Sequence, residues 1–192
     1  MVPVTMIDGR TQRGRRNREA IIDALLACYD DGILRPSVDE VAARAGLSAR
    51  SVHNHFDDVE ALRAEVAQRQ WERFARFVGA IDPTLPVAER VEQLVVQRAA
   101  FFEGVTPVRR AALLSLPDSP TIAANLTRLD RTLRRQLERA FPDLARDELD
   151  AIDAIASWDA WNRLRAAQGC SVNRARRILV TTIRTLAEGS AR

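Results

Sequence analysis

Apolar positions recur along the chain at three- and four-residue intervals almost throughout, without sustained two-residue alternation, so the pattern predicts an all-α protein of about nine helices. A first helix is expected from about Arg13 to Asp31, with Ile21, Ile22, Leu25, Cys28 and Tyr29 on one face and Gly32 ending it. Ser37 and Glu40 have the spacing of a capping box that opens a short helix over Val38–Ala45. Gly46 stops that helix, and Ser48 caps a third over Ala49–His55. Asp57 and Glu60 repeat the box for a fourth helix, expected to run to about Ala80 on Val59, Leu62, Val66, Phe74, Phe77 and Val78.

Beyond the break at Asp82-Pro83, Pro86 suits the first turn of a fifth helix carrying Val87, Val91, Leu94, Val95 and Phe102. A short helix is expected over about Val108–Leu116, and Ser119-Pro120 opens another whose stripe is Ile122, Leu126, Leu129, Leu133 and Leu137. The last two are expected from about Asp147 to Gln168 and from Val172 to Glu188, separated by Gly169.

Two short helices joined by Ala45-Gly46-Leu47-Ser48 form the pattern of a helix-turn-helix, with Val41, Leu47 and Val52 holding the pair together. Charge sharpens that reading. All 29 basic residues are arginine, and the net charge is only +3. Residues 1 to 18 hold Arg10, Arg13, Arg15, Arg16 and Arg18 against Asp8, whereas residues 19 to 60 hold three arginines against nine carboxylates. A basic arm thus precedes an acidic segment. In the second short helix, Arg50 can donate two parallel hydrogen bonds to guanine or contact phosphate, Asn54 can read adenine, and Ser51 can serve either.

Other chemistry is sparse. There is no glycine-rich nucleotide loop, zinc-protease helix or nucleophile elbow. Both histidines, His53 and His55, fall in the candidate reader, two apart on a helix and so unable to share a metal. Cys28 and Cys170 lack metal or disulfide spacing. These features predict a non-enzyme without cofactor or metal. No run reaches the roughly 18 apolar residues of a membrane span, and no secretory signal opens the chain, so a cytoplasmic protein is expected.

The string from Gly32 to Leu62, with Ser37-Val38-Asp39-Glu40-Val41-Ala42, Ala45-Gly46-Leu47-Ser48, His55-Phe56, Glu60 and Leu62, resembles the DNA-binding domain of the TetR family of bacterial transcriptional regulators. The resemblance covers about residues 14 to 66. It implies a ligand-responsive regulator, usually a repressor, that binds a palindromic DNA operator as a homodimer; the alternative is a DNA-binding interaction protein without a small-molecule inducer. It also implies a helix-turn-helix domain over residues 1–57 and a helical ligand-binding and dimerisation domain over 58–192. The residues it places at DNA are Ser37, Ser48, Ala49, Arg50, Ser51, His53, Asn54 and His55, joined by Arg13, Arg15 and Arg16 of the arm; His55 can instead pack against Phe56.

The sequence departs from the family in having His53 for the usual aromatic and Val59 for the usual lysine. Asp57 and Asp58 beside Val59 suit the helix dipole but repel phosphate, so the arginine arm is expected to supply the lost attraction.

An unknown small-molecule effector is expected among Phe74, Phe77, Phe101, Phe102, Trp158 and Trp161, residues that serve equally as core. Asp159, spaced from Ile152 and Ile155 onto an apolar face, can orient a ligand amine or pair with an arginine such as Arg163. By the same resemblance the last two helices form the dimer interface through Ile155, Leu164, Leu179, Ile183 and Leu186.

Overall fold

A computed structural model describes residues 9–56 and 59–189, and among them every regular element is helical. The helices are α1 (Gly9–Asp30), α2 (Val38–Ala45), α3 (Ala49–Phe56), α4 (Val59–Phe74), α5 (Val87–Leu113), α6 (Pro120–Ala140), α7 (Arg146–Ile155), α8 (Trp158–Asn162) and α9 (Val172–Gly189). Short 3₁₀ turns follow α4 and α5, and a π-helical turn, Arg163–Ala167, follows α8. The described residues pack as two units, those up to residue 70 with 107–123, and 71–106 with 124–189.

The first unit is built around Ile21, Ile22, Leu25, Val41, Val52, Leu62 and Val66, with Leu47 and Val108 packed against them. Fully burying such a side chain contributes about 1.5–3 kcal/mol. Because Leu62 and Val66 of α4 close the same core as α1 to α3, this unit extends beyond the boundary expected between residues 57 and 58. The second unit centres on Leu94, Phe101, Phe102, Leu137, Phe141, Ile152, Trp161 and Ile183.

Helix ends agree with the apolar periodicity where local caps set them and differ where distant side chains intervene. The fourth helix stops at Phe74 rather than near Ala80. Gln97 accepts from the Gly79 amide at 3.0 Å, and Gln136 donates to the Gly79 carbonyl at 2.7 Å, so side chains satisfy the peptide that helix bonds would otherwise use. The expected fifth helix and short helix are one: α5 runs through Pro107, anchored before it by Phe101, Phe102 and Val105 and after it by Val108. The expected Asp147–Gln168 helix is broken at Ala156-Ser157. Arg98 donates to the Ala156 carbonyl, and Ser157 caps α8 by accepting from the Ala160 amide at 3.2 Å.

Candidate nucleic-acid interface

The turn between α2 and α3 is fixed by contacts readable one residue at a time. Ser37 Oγ accepts from the Glu40 amide at 3.2 Å, while the Glu40 carboxylate accepts from the Ser37 amide at 2.8 Å, a complete capping box. These bonds hold the Glu40 carboxyl below its usual range. Gly46 adopts φ 66°, the left-handed conformation that ends α2 at little cost only for glycine. The Leu47 amide then donates to the Ala42 carbonyl, and Ser48 Oγ accepts from the Ser51 amide at 3.2 Å to start α3.

The consequence is a two-sided α3. Val52 is wholly buried against Val41 and Ile21, whereas Arg50, His53 and Asn54, at positions i, i+3 and i+4, share the opposite, exposed face. Ser37 and Ser48 are exposed, and Ala49 and Ser51 are half-buried. Only the backbone of His55 and Phe56 is described, and Asp57 and Asp58, with the capping box expected from Asp57, lie outside the described residues. The exposed face therefore offers a five-donor guanidinium, an amide with donor and acceptor, and an imidazole, the hydrogen-bonding set that base edges and phosphates match.

The expected basic arm is helical where described. Helix α1 begins at Gly9, so Arg13, Arg15 and Arg16 lie on its first turns as exposed side chains, while Arg18 is bonded to Glu65 at 2.7 Å. No proline interrupts the segment between Gly9 and the apolar stripe, and its arginines and Gln12 are good helix formers, although Gly14 and Asn17 are not. The acidic segment is also less exposed to a polyanion than its sequence count suggests. Asp31 pairs with Arg44 at 2.7 Å, Asp23 with Arg69 at 3.1 Å, and Glu40 is held in its cap.

The residues expected at an effector are placed differently. Phe101, Phe102, Trp158 and Trp161 are closed into the second unit's core, Phe74 is nearly so, and Phe77 is half-buried against it. Both indoles are hydrogen-bonded within the unit, Trp158 to Thr106 and Trp161 to Glu103, each at 2.9 Å. Asp159 is exposed: the break at Ser157 resets the helical phase, so its spacing from Ile152 and Ile155 no longer puts it on the apolar side. Of the residues expected at a dimer seam, Leu164, Leu179 and Ile183 are buried in the unit's own core, and Ile155 and Leu186 are partly exposed.

Gln70, Arg98 and Arg90 are buried polar residues absent from the expected set. Gln70 is 5% exposed, and both its amide atoms lack a hydrogen-bond partner among the described residues. Arg98 is 1% exposed, donating to Gln136 Oε1 at 3.1 Å and to the Leu133 and Ala156 carbonyls at 2.7 and 3.3 Å. Desolvation pulls its pKa down to about 10. Arg90 donates to the Ala140 carbonyl at 2.8 Å and lies over the Phe141 ring. Periodicity signals all three: Gln70 continues the stripe Leu62, Val66 toward Phe74, and Arg90 and Arg98 lie four residues from Leu94 on the stripe that Val91, Val95, Phe101 and Phe102 extend.

No family model matches the sequence, and no curated protein matches it. Solved structures do. A transcriptional regulator from Rhodococcus sp. Rha1 is 17% identical, with a TM-score of 0.67 over 92% of this chain and 96% of its own. A TetR-like transcriptional regulator from Rhodococcus sp. RHA1 is 19% identical, with a TM-score of 0.53 over 93% of this chain and 95% of its own. The chain has the all-helical fold of the TetR-like transcriptional regulators.

Proposed function

We propose that the protein is a DNA-binding transcriptional regulator that reads a palindromic operator as a homodimer, acts as a repressor and releases DNA when a small molecule binds. The observation that carries this reading is α3: a helix held by its caps and Val52, with Arg50, His53 and Asn54 on the face turned to solvent. The exposed Arg13, Arg15 and Arg16 supply phosphate contacts, which dominate affinity in such complexes. The fold shared with two transcriptional regulators supports the same assignment.

Partly exposed Ile155, Ile178 and Leu186 give the second unit apolar atoms for a partner copy. The unpaired buried amide of Gln70 supports ligand responsiveness, since a buried amide without a partner is costly and a bound molecule with its own donor and acceptor relieves that cost. Ligand and DNA then oppose each other reciprocally, each lowering affinity for the other by the same factor.

The test is selection of bound duplexes from random DNA with the full chain. An enriched inverted repeat, protected once per half-site and occupied by two copies, is the expected result. Enrichment of no sequence would remove the reader assignment.

A further inference from the structure

Helix α6 sorts its side chains by charge as well as by polarity. Leu133, Leu137 and Ala140 are buried in the second unit's core, and Leu129 packs against it. On the opposite side Arg128, Arg131, Arg135 and Arg139 follow one another at three- and four-residue intervals, and all four are exposed. They share about 80° of helical arc. The carboxylates of this helix are engaged elsewhere. Glu138 is bonded to Arg134 at 2.9 Å, where Asp150 of α7 joins at 2.7 Å, and Asp130 lies close enough to the buried Arg98 to support its charge. None of the four stripe arginines forms an ion pair among the described residues, and Arg135 donates to the neighbouring Thr132 at 3.3 Å.

Four guanidiniums on one line repel one another, as like charges at i and i+4 do on any helix. A partner carrying a row of negative charge offsets that repulsion. From Arg128 to Arg139 the helix rises roughly 16 Å, a length over which each strand of a DNA duplex carries about five phosphates. The guanidinium fork matches phosphate oxygens two at a time. The residues beside the arginines on this side, Ala124 and Thr132, supply no large apolar group. A helix that lies on a membrane inserts an apolar face, and that of α6 is occupied by the core. A protein interface has an apolar or aromatic centre, which this stripe lacks. Backbone phosphates need neither.

We propose that the outer face of α6 is a second DNA surface, independent of sequence and separate from the face of α3, that holds the duplex backbone through Arg128, Arg131, Arg135 and Arg139. The inference rests on the reading of the chain as a DNA-binding protein and adds a surface outside the first unit. Contacts of this kind raise affinity for any duplex and carry no base preference.

The experiment measures affinity of the full chain for a scrambled duplex and for the selected operator across salt concentrations. Arg131→Gln/Arg135→Gln removes the middle of the stripe, and Arg146→Gln/Arg163→Gln removes the same charge from exposed positions outside it. On the scrambled duplex the stripe variant is expected to lower the magnitude of the slope of log affinity against log salt by about 1.8, the sum for two phosphates, and to weaken binding at low salt about tenfold. The variant outside the stripe is expected to change the slope by less than half as much. Arg131→Lys/Arg135→Lys keeps the charge and is expected to keep the slope. Base preference in the operator is expected to be the same in every variant.

Equal slope changes in the two glutamine variants overturn the proposal, because total charge and not the stripe then governs binding. An unchanged slope in the stripe variant overturns it as well, and leaves the base-reading face of α3 standing if the operator is still bound. Selection of no inverted repeat, with the stripe variant still losing slope on the scrambled duplex, removes the base-reading assignment and keeps the α6 surface. A parent chain that binds no duplex removes both.

Discussion

The reader helices of the first unit and the core of the second place their polar groups differently, although the first unit also buries Gln70 and Ser119. In the first, the side chains with hydrogen-bonding capacity on α3 face outward, and the core is made of Ile21, Val41, Val52 and Leu62 with their apolar neighbours. In the second, Arg98 and Gln136 are closed inside the core, and Arg90 lies over the Phe141 ring. Because α3 is held on its inner side by Val52, its polar face is left to meet a partner. The second unit uses buried polar groups to satisfy its own broken backbone, as Arg98 does for Ala156 and Arg90 for Ala140. The ends of α2 and the start of α3 are set by caps within a few residues, whereas the chain around Gly79 and Ala156 in the second unit depends on side chains 18 to 58 residues away.

Arg98 is where that contrast is most easily broken. Arg98→Ala is expected to destabilise the protein by about 3 kcal/mol, from the cavity left and from the carbonyls of Leu133 and Ala156 losing their donor. Arg98→Met restores most of the volume and removes a desolvated charge, so it is expected to recover about half of that loss. Denaturant melts of the two variants check this, and equal stability of Arg98→Ala and the parent would show that the buried bonds contribute nothing net.

The glycines offer a second comparison. A Cβ on Gly104 would run into the Phe74 ring, inside the second unit's core, so Gly104→Ala is expected to cost about 2 kcal/mol by overpacking despite its better helix propensity. Gly46 has open space around its Cα but a φ of 66°, so Gly46→Ala is expected to cost about 1 kcal/mol through backbone strain alone. Asn at position 46 tolerates that conformation and should recover part of the loss, whereas no side chain at position 104 should. Thermal melts of the three variants separate strain from packing.

The same division explains what could be read in advance. The helices of the reader were legible because each end has its signal within three or four residues: Ser37 with Glu40, Gly46, Ser48. The exposed face of α3 followed from the position of Val52. The second unit hid its helix ends because they depend on partners far along the chain. Gln97 and Gln136 meet Gly79 at separations of 18 and 57 residues, and Arg98 meets Ala156 at 58. Asp159 was misplaced for that reason, since the break at Ala156-Ser157 shifted its helical phase. Gln70 and Arg98 were visible as polar interruptions of apolar stripes, a signal that gives burial but not the bonding partner.

Two smaller effects sharpen the account of the reader. Arg13→Ala and Arg16→Ala remove exposed charges from the first turns of α1, and for every phosphate no longer neutralised the slope of log affinity against log salt is expected to fall in magnitude by about 0.9. An unchanged slope would leave these arginines solvated. Glu60 gives the pH dependence. Its carboxyl, which accepts from Thr121 and Ser119, is held at about 2 against an ordinary 4.5, so its contribution to stability is fully present above pH 4.5 and is lost as pH falls toward 2. Glu60→Gln, which cannot titrate, is expected to flatten the acid limb of the stability profile in that window.

The central claim, that the outward face of α3 reads DNA bases, is tested most directly by the affinity of Arg50→Ala for the selected operator and for a scrambled duplex of equal length and salt. A base-reading guanidinium predicts a loss of about 1–3 kcal/mol on the operator, relaxed preference at one position in each half-site, and little change on the scrambled duplex. Equal losses on both duplexes would make Arg50 a backbone contact, and no loss on either would contradict the claim.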